Sequence, residues 1–212
     1  FPYTTLFRST NLLIKKEIQK KYGLPEKDVP MIAMITRMVK NKGLDLVRHI
    51  FDELIQEDIQ FVILGTGDYS YEESFRYFAW RYSDKVASRI YYNEEESHQV
   101  YAASDLFLMP SLMEPCGISQ LIALRYGSLP IVRETGGLKD TVKSYNEFEK
   151  GGNGFSFANI NAHDMLYTIR RALYFLGIEA DKRQLIKNAM NSKNSWETSS
   201  KEYIKLYKTL IK

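Results

Sequence analysis

The run Pro110–Leu138, PSLMEPCGISQLIALRYGSLPIVRETGGL, leaves few folds open. Before it, Asp105–Met109 (DLFLM) is a continuous apolar run, which suits a buried parallel strand, and Pro110 closes that strand. Glu114 then falls on a loop stiffened by Pro115 and freed by Gly117. Ile118, Leu121, Ile122 and Leu124 predict a helix to Tyr126 lying against a sheet, and Leu129–Val132 predicts the next strand. Strand, loop with an acid and a glycine, and helix start form a recurrent ligand site in α/β folds. The ligand lies beyond the carboxyl ends of the strands, and free N–H groups at the helix start can hold an anion. A second reading has Gly117 as a turn residue and Glu114 as a solvated acid; spacing alone leaves both open.

The rest of the chain repeats the alternation. Met31–Ile35, Phe61–Leu64 and Val86–Tyr92 predict three further strands, and Phe155–Phe157 a short last one. Between and around them, helices are predicted over Asn11–Tyr22, Leu44–Gln56, Tyr71–Tyr82, Ser97–Ala103, Ala162–Leu176, Lys182–Met190 and Ser195 to about Ile211. Leu166, Ile169, Leu173 and Leu176 should face inward, and Asn194 with Glu197 should cap the last helix. Such an order argues for βαβ units in a Rossmann-like, doubly wound parallel sheet. The 212 residues suffice for one α/β domain with its own core.

Composition removes several function classes. A net charge of +3 is too small to argue for nucleic acid or a membrane surface, and no apolar stretch is long enough to span a bilayer. The single cysteine, Cys116, excludes an internal disulfide and fits a cytoplasmic setting. No histidine lies near it in sequence to activate it as a nucleophile. Three scattered His and one Cys give no metal-ligand spacing, so no metal is expected. The first nine residues, FPYTTLFRS, resemble a translated sequencing adapter and are set aside; the domain is taken as residues 10–212.

Pro110, Ser111, Glu114-Pro115-Cys116-Gly117, Gln120 and Thr135-Gly136-Gly137-Leu138 closely resemble the donor-site segment of bacterial glycogen synthases and plant starch synthases. Thr36-Arg37-Met38 with Lys42-Gly43 is similar to the same family's Ser/Thr-Arg-Leu-x-x-x-Lys-Gly run. The resemblance implies the carboxyl-terminal half of a two-domain GT-B glycosyltransferase. It implies retaining transfer of glucose from ADP-glucose to the non-reducing end of an α-1,4-glucan. Arg37 and Lys42 would then bind the donor's diphosphate, and Glu114 the glucose. Cys116, Gly117, Ile118 and Ser119 would present the backbone of the helix start. Tyr92 would stack on adenine, although a tyrosine at a strand end also packs on its own sheet. Gly65 and Gly67 would turn close to the nucleotide, and Thr135, Gly136 and Gly137 would approach the phosphates or the sugar. His98 is read as structural. Related transferases carry a second Glu eight residues after the first; that position here is Ile122, as in the glycogen synthase branch, and ribose recognition stays unassigned.

The resemblance also implies an amino-terminal domain, outside this chain, that holds a Lys-Thr-Gly-Gly-Leu loop and much of the acceptor surface. The chain alone is therefore expected to make no glucan. The last helix is expected to leave Trp196, Tyr203 and Tyr207 partly exposed. Two rivals remain at this point. One is a retaining GT-B transferase that uses UDP-glucose. The other is a non-catalytic nucleotide- or glucan-binding module, against which the joint presence of Arg37, Lys42 and Glu114 argues.

Overall fold

The computed structural model describes residues 5–211, with side chains from Asn11 onward. The part of the set-aside stretch before Thr5 lies outside the described residues. Six strands alternate with helices: β1 (Met31–Ile35), β2 (Gln60–Leu64), β3 (Val86–Arg89), β4 (Leu106–Met109), β5 (Leu129–Arg133) and β6 (Phe155–Phe157). Every pairing is parallel, in the order β3-β2-β1-β4-β5-β6. The strand order reverses between β1 and β4, and at such a switch point the two following loops diverge to opposite faces and leave a crevice.

The helices are α1 (Thr5–Tyr22), α2 (Leu44–Leu54), α3 (Tyr69–Arg81), α4 (Glu94–Ala103), α5 (Ser119–Tyr126), α6 (Gly136–Thr141), α7 (Ala162–Leu176), α8 (Glu179–Met190) and α9 (Trp196–Leu210). The helices before α9 cover both faces of the sheet, which is why the central strands carry apolar residues without alternation. On one face Phe51, Phe75, Phe78, Ile169 and Phe175 pack with Ile32, Phe61 and Ile131. On the other, Ile18 and Tyr22 of α1 join Val100, Tyr101, Phe107 and Ala123. In α7 Leu166, Ile169 and Leu176 point inward as expected, whereas Leu173 is only half-buried. Phe175 and Ala172 complete the buried face instead.

Helix α1 docks through polar groups as much as apolar ones. Lys15, buried, donates to the Val29 carbonyl and to Asp105 at 2.7 Å. Asp105 also accepts from the Met31 amide at the start of β1. The buried Gln19 amide donates to the Lys27 carbonyl and to Gln60, which in turn donates to the Pro25 carbonyl. Tyr22 donates to Glu96 at 2.5 Å, as does Tyr91 at 2.6 Å, and Lys21 pairs with the same carboxylate. Burial pulls the Glu96 carboxyl up, and those three donors outweigh it, so it titrates below its ordinary range.

Three local expectations are corrected. Strand β3 stops at Arg89, not at Tyr92, because its neighbour β2 ends at Leu64 and leaves Ile90 and Tyr91 without a partner. Helix α4 starts at Glu94 rather than Ser97, since the Asn93 side chain accepts from the Glu96 amide and caps it there. Helix α9 is capped by the backbone position of Ser195, with no side-chain bond, so Asn194 and Glu197 do not form the expected box.

Helix α9 has no buried residue. Trp196, Tyr203 and Tyr207 are all exposed, as expected, with Ile204, Leu206 and Leu210 beside them. Deleting residues 195–212 is therefore expected to leave the thermal midpoint of the remainder unchanged and to reduce concentration-dependent association measured by light scattering. A lowered midpoint would show that α9 supports the domain.

Candidate active site

Two loops meet at the switch point. The first leaves β1 and runs Thr36–Gly43; its last residues tighten into a single turn over Lys40–Lys42 before α2. The second leaves β4 and runs Pro110–Ile118 into α5. They are joined by a backbone bond from the Leu112 amide to the Asn41 carbonyl at 2.8 Å. Arg37, Lys42, Glu114, Gly117, Ile118 and Ser119 line one cavity of about 190 Å³ between them. The three residues assigned to the donor's diphosphate and glucose from the sequence, Arg37, Lys42 and Glu114, thus share a wall.

Lys42 and Glu114 are bonded to each other. The Lys42 ammonium donates to Glu114 Oε2 at 2.6 Å, and Ser111 donates to the same oxygen at 3.1 Å. Both partners are largely shielded, with 18% and 13% of their side chains exposed, so water screens the pair less than a surface ion pair. Arg37 is exposed and meets no carboxylate among the described residues. Helix α5 begins at Ser119 without a side-chain cap. The amides of Gly117, Ile118 and Ser119 meet no acceptor among the described residues. A free guanidinium, a shielded ammonium and an open helix start converge on the crevice, which suits an anion with several oxygens.

A second cavity of about 300 Å³ adjoins the first and shares Ile35, Thr36, Arg37 and Ser119 with it. Gly65, Tyr92, Glu94, Ser97, His98, Tyr101 and Ile122 are among the rest of its wall, with Leu64 and Thr66. Tyr92, 69% exposed, stands at its mouth on the turn before α4 rather than on a strand. Burial pushes the Tyr101 phenol up to about 12, so it stays protonated at neutral pH. His98 approaches the Tyr126 hydroxyl at 3.0 Å, and its residue also lines the cavity.

The remaining predicted residues are placed around these walls, not in them. Cys116 is exposed on the second loop and lines neither cavity. Gly67, Thr135, Gly136 and Gly137 also lie outside both. Two of these glycines support the site by close approach. A Cβ on Gly137 would sit 2.0 Å from the Cys116 carbonyl oxygen, and one on Gly67 would sit 2.2 Å from that of Met38. Only glycine lets α6 press against the second loop and lets the β2 loop pair with the first at the Met38–Gly67 bridge. Sequence reasoning passed over Ser111 as a partner of Glu114, and over Arg133. The signal for Arg133 was a cation ending the apolar run LPIV, where a buried strand meets its carboxyl edge.

Among the described residues, no helix is long and apolar enough to cross a membrane. Nor are three His, Cys, Asp or Glu side chains grouped to hold a metal ion.

The doubly wound sheet with an anion-ready crevice at its switch point is a Rossmann-like domain of the kind that forms the carboxyl-terminal half of GT-B glycosyltransferases. The chain belongs to the family "Glycosyl transferases group 1", whose model matches residues 14–191. It is 64% identical to a glycogen synthase from Finegoldia magna, over 93% of this chain and 42% of that protein. With a glycogen synthase from Bacillus cytotoxicus the identity is 56%, over 99% of this chain and 45% of the relative. The fold superposes on the catalytic domain of starch synthase IV from Arabidopsis thaliana, solved with ADP and acarbose. That match has a TM-score of 0.84 and 34% identity, over 94% of this chain and 42% of that one. The chain thus spans less than half the length of the relatives it matches.

Proposed function

We propose that the chain is the donor-binding half of a glycogen synthase that transfers glucose from ADP-glucose to an α-1,4-glucan with retention. The observation that carries this reading is the convergence of an unpaired Arg37, the Lys42–Glu114 pair and the open start of α5 on one crevice. Breaking the bond between the sugar and the diphosphate leaves negative charge on phosphate oxygen. Arg37, Lys42 and the amides of Gly117–Ser119 stabilise that charge from fixed positions, which lowers the barrier more than mobile water would. Lys42 has three donors, so it can hold a phosphate oxygen while still bonded to Glu114. Glu114 accepts from the hydroxyls of the glucose and favours positive character at its anomeric carbon. The adjoining cavity takes the nucleoside, with Tyr92 at its mouth as the ring for adenine. The upstream part of the relatives, which this chain does not span, supplies the acceptor side of the cleft and covers α9. Catalysis needs both sides in one geometry, so this chain alone binds nucleotide without making glucan.

Calorimetric titration with ADP and with UDP tests the reading. ADP should bind and UDP should bind more weakly. Arg37→Ala should weaken ADP about tenfold, since a charge-assisted hydrogen bond contributes roughly 1.5–3 kcal/mol before solvent reduces it. The difference should shrink at high salt. Equal binding of ADP by parent and Arg37→Ala would overturn the assignment, and preference for UDP would redirect it to another donor.

A further inference from the structure

Arg133 ends β5 at the carboxyl edge of the sheet, beside the second loop. Its Nε donates to the Ser111 carbonyl at 2.8 Å and its Nη2 to the Leu112 carbonyl at 2.6 Å. Its Nη1 reaches the Ala158 carbonyl at 3.5 Å. No carboxylate among the described residues pairs with it. A guanidinium whose three nitrogens each donate to a carbonyl, two of these carbonyls consecutive in one loop, is a clamp on that loop and not a partner in an ion pair. The planar fork matters: a lysine ammonium cannot hold two successive carbonyls in fixed directions.

The clamped peptides are the ones that aim Glu114. Ser111, fully shielded from solvent, presents its hydroxyl to Glu114 Oε2 while Arg133 holds its carbonyl. Leu112 is gripped at both ends, its amide by Asn41 of the first loop and its carbonyl by Arg133. Asn41 immediately precedes Lys42, the other donor to Glu114. The guanidinium therefore fixes the separation of the cationic loop from the carboxylate loop without itself lining the crevice.

We infer that Arg133 is a positioning residue for the transfer reaction: it holds the Ser111 and Leu112 carbonyls so that the Glu114 carboxylate meets the donor sugar in the orientation that turnover needs. The inference rests on the donor-site reading above. It places the effect of Arg133 on the chemical step and not on nucleotide affinity, because the diphosphate contacts come from Arg37, Lys42 and the start of α5.

The test has two arms. In this chain, Arg133→Lys and Arg133→Met are compared with the parent by amide hydrogen exchange of residues 111–114 and by ADP titration. Exchange should rise tenfold or more in both variants, with ADP affinity within threefold of the parent. In the full-length protein carrying this chain, both variants should lose at least thirtyfold in kcat, with KM for ADP-glucose within threefold. Ser111→Ala, which leaves the clamp intact, should lose kcat in the same sense without raised exchange. Retained kcat in Arg133→Lys, or a raised KM at unchanged kcat, would overturn the inference. If Arg133→Met does not fold, the charge-preserving Arg133→Lys carries the test. If the parent transfers no glucose at all, the functional reading fails by itself. The exchange arm then decides the clamp: unchanged exchange refutes it.

Discussion

Glu114→Gln binds ADP more tightly than the parent while transferring no glucose: that is the expected result, and it separates affinity from turnover at a single atom. The carboxylate accepts the Lys42 ammonium at 2.6 Å, within the cavity where the diphosphate is proposed to sit. Its negative charge competes for Lys42 and repels the phosphates. At separations of several ångströms and an effective dielectric near 20, that repulsion amounts to about 1 kcal/mol after partial screening, or roughly fivefold in Kd. The glutamine keeps the size of the side chain and its bond to Ser111, so the loop should stay in place. Turnover is lost because an amide cannot stabilise positive character at the anomeric carbon. Calorimetry with ADP and a transfer assay on the full-length protein check both halves. Weaker ADP binding in Glu114→Gln would mean that the carboxylate helps to hold the nucleotide, against the roles proposed. The sequence assigned Lys42 to the diphosphate and Glu114 to the glucose; their 2.6 Å bond couples the two.

Lys15→Met should be the most destabilising single change outside the core. Lys15 is 5% exposed and bridges the Val29 carbonyl and Asp105. Removing it leaves Asp105 with the Met31 amide and a distant Lys182 at 3.9 Å. Breaking one side of a shielded ion pair costs roughly 3–5 kcal/mol, and the residual partners of Asp105 place this case near 3. For a domain of this size that is a fall of roughly 6–12 °C in Tm. Differential scanning calorimetry of Lys15→Met and of Lys15→Met with Asp105→Leu checks it. The double variant should recover part of the loss, because it removes the unpaired charge. A shift indistinguishable from zero in the single variant would mean that α1 is held by its apolar residues alone.

The strands were legible because MIAMI, FVIL and LFLM are apolar on both faces, and only a sheet covered on both sides needs that. The crevice was legible for a related reason: in a parallel sheet the loops after β1 and β4 must open at the same edge, so Arg37 and Glu114 could be placed together without coordinates. What stayed hidden depends on partners distant in sequence. Arg89-Ile90-Tyr91-Tyr92 reads as strand, and it ends early only because β2 has no residue left to pair with. Lys15 and Gln19 look like the solvated side of a charged helix; their burial follows from Asp105 and Gln60, which lie far along the chain. Gly67 and Gly137 read from sequence as glycines near the ligand; hidden was that their missing side chains also make room for the backbone of the site loops.

Helix α9 divides the chain into a part that builds the core and a part that does not. It places no residue in the core, and the family match stops at residue 191, between the end of α8 and the start of α9. Substitutions along α9 are therefore expected to leave the folding of the domain unchanged. The apolar character of Tyr203, Ile204, Tyr207 and Leu210 is not a requirement of the sheet and its helices. The boundary between α8 and α9 is thus where the chain passes from residues that build this fold to residues that add no buried contact to it.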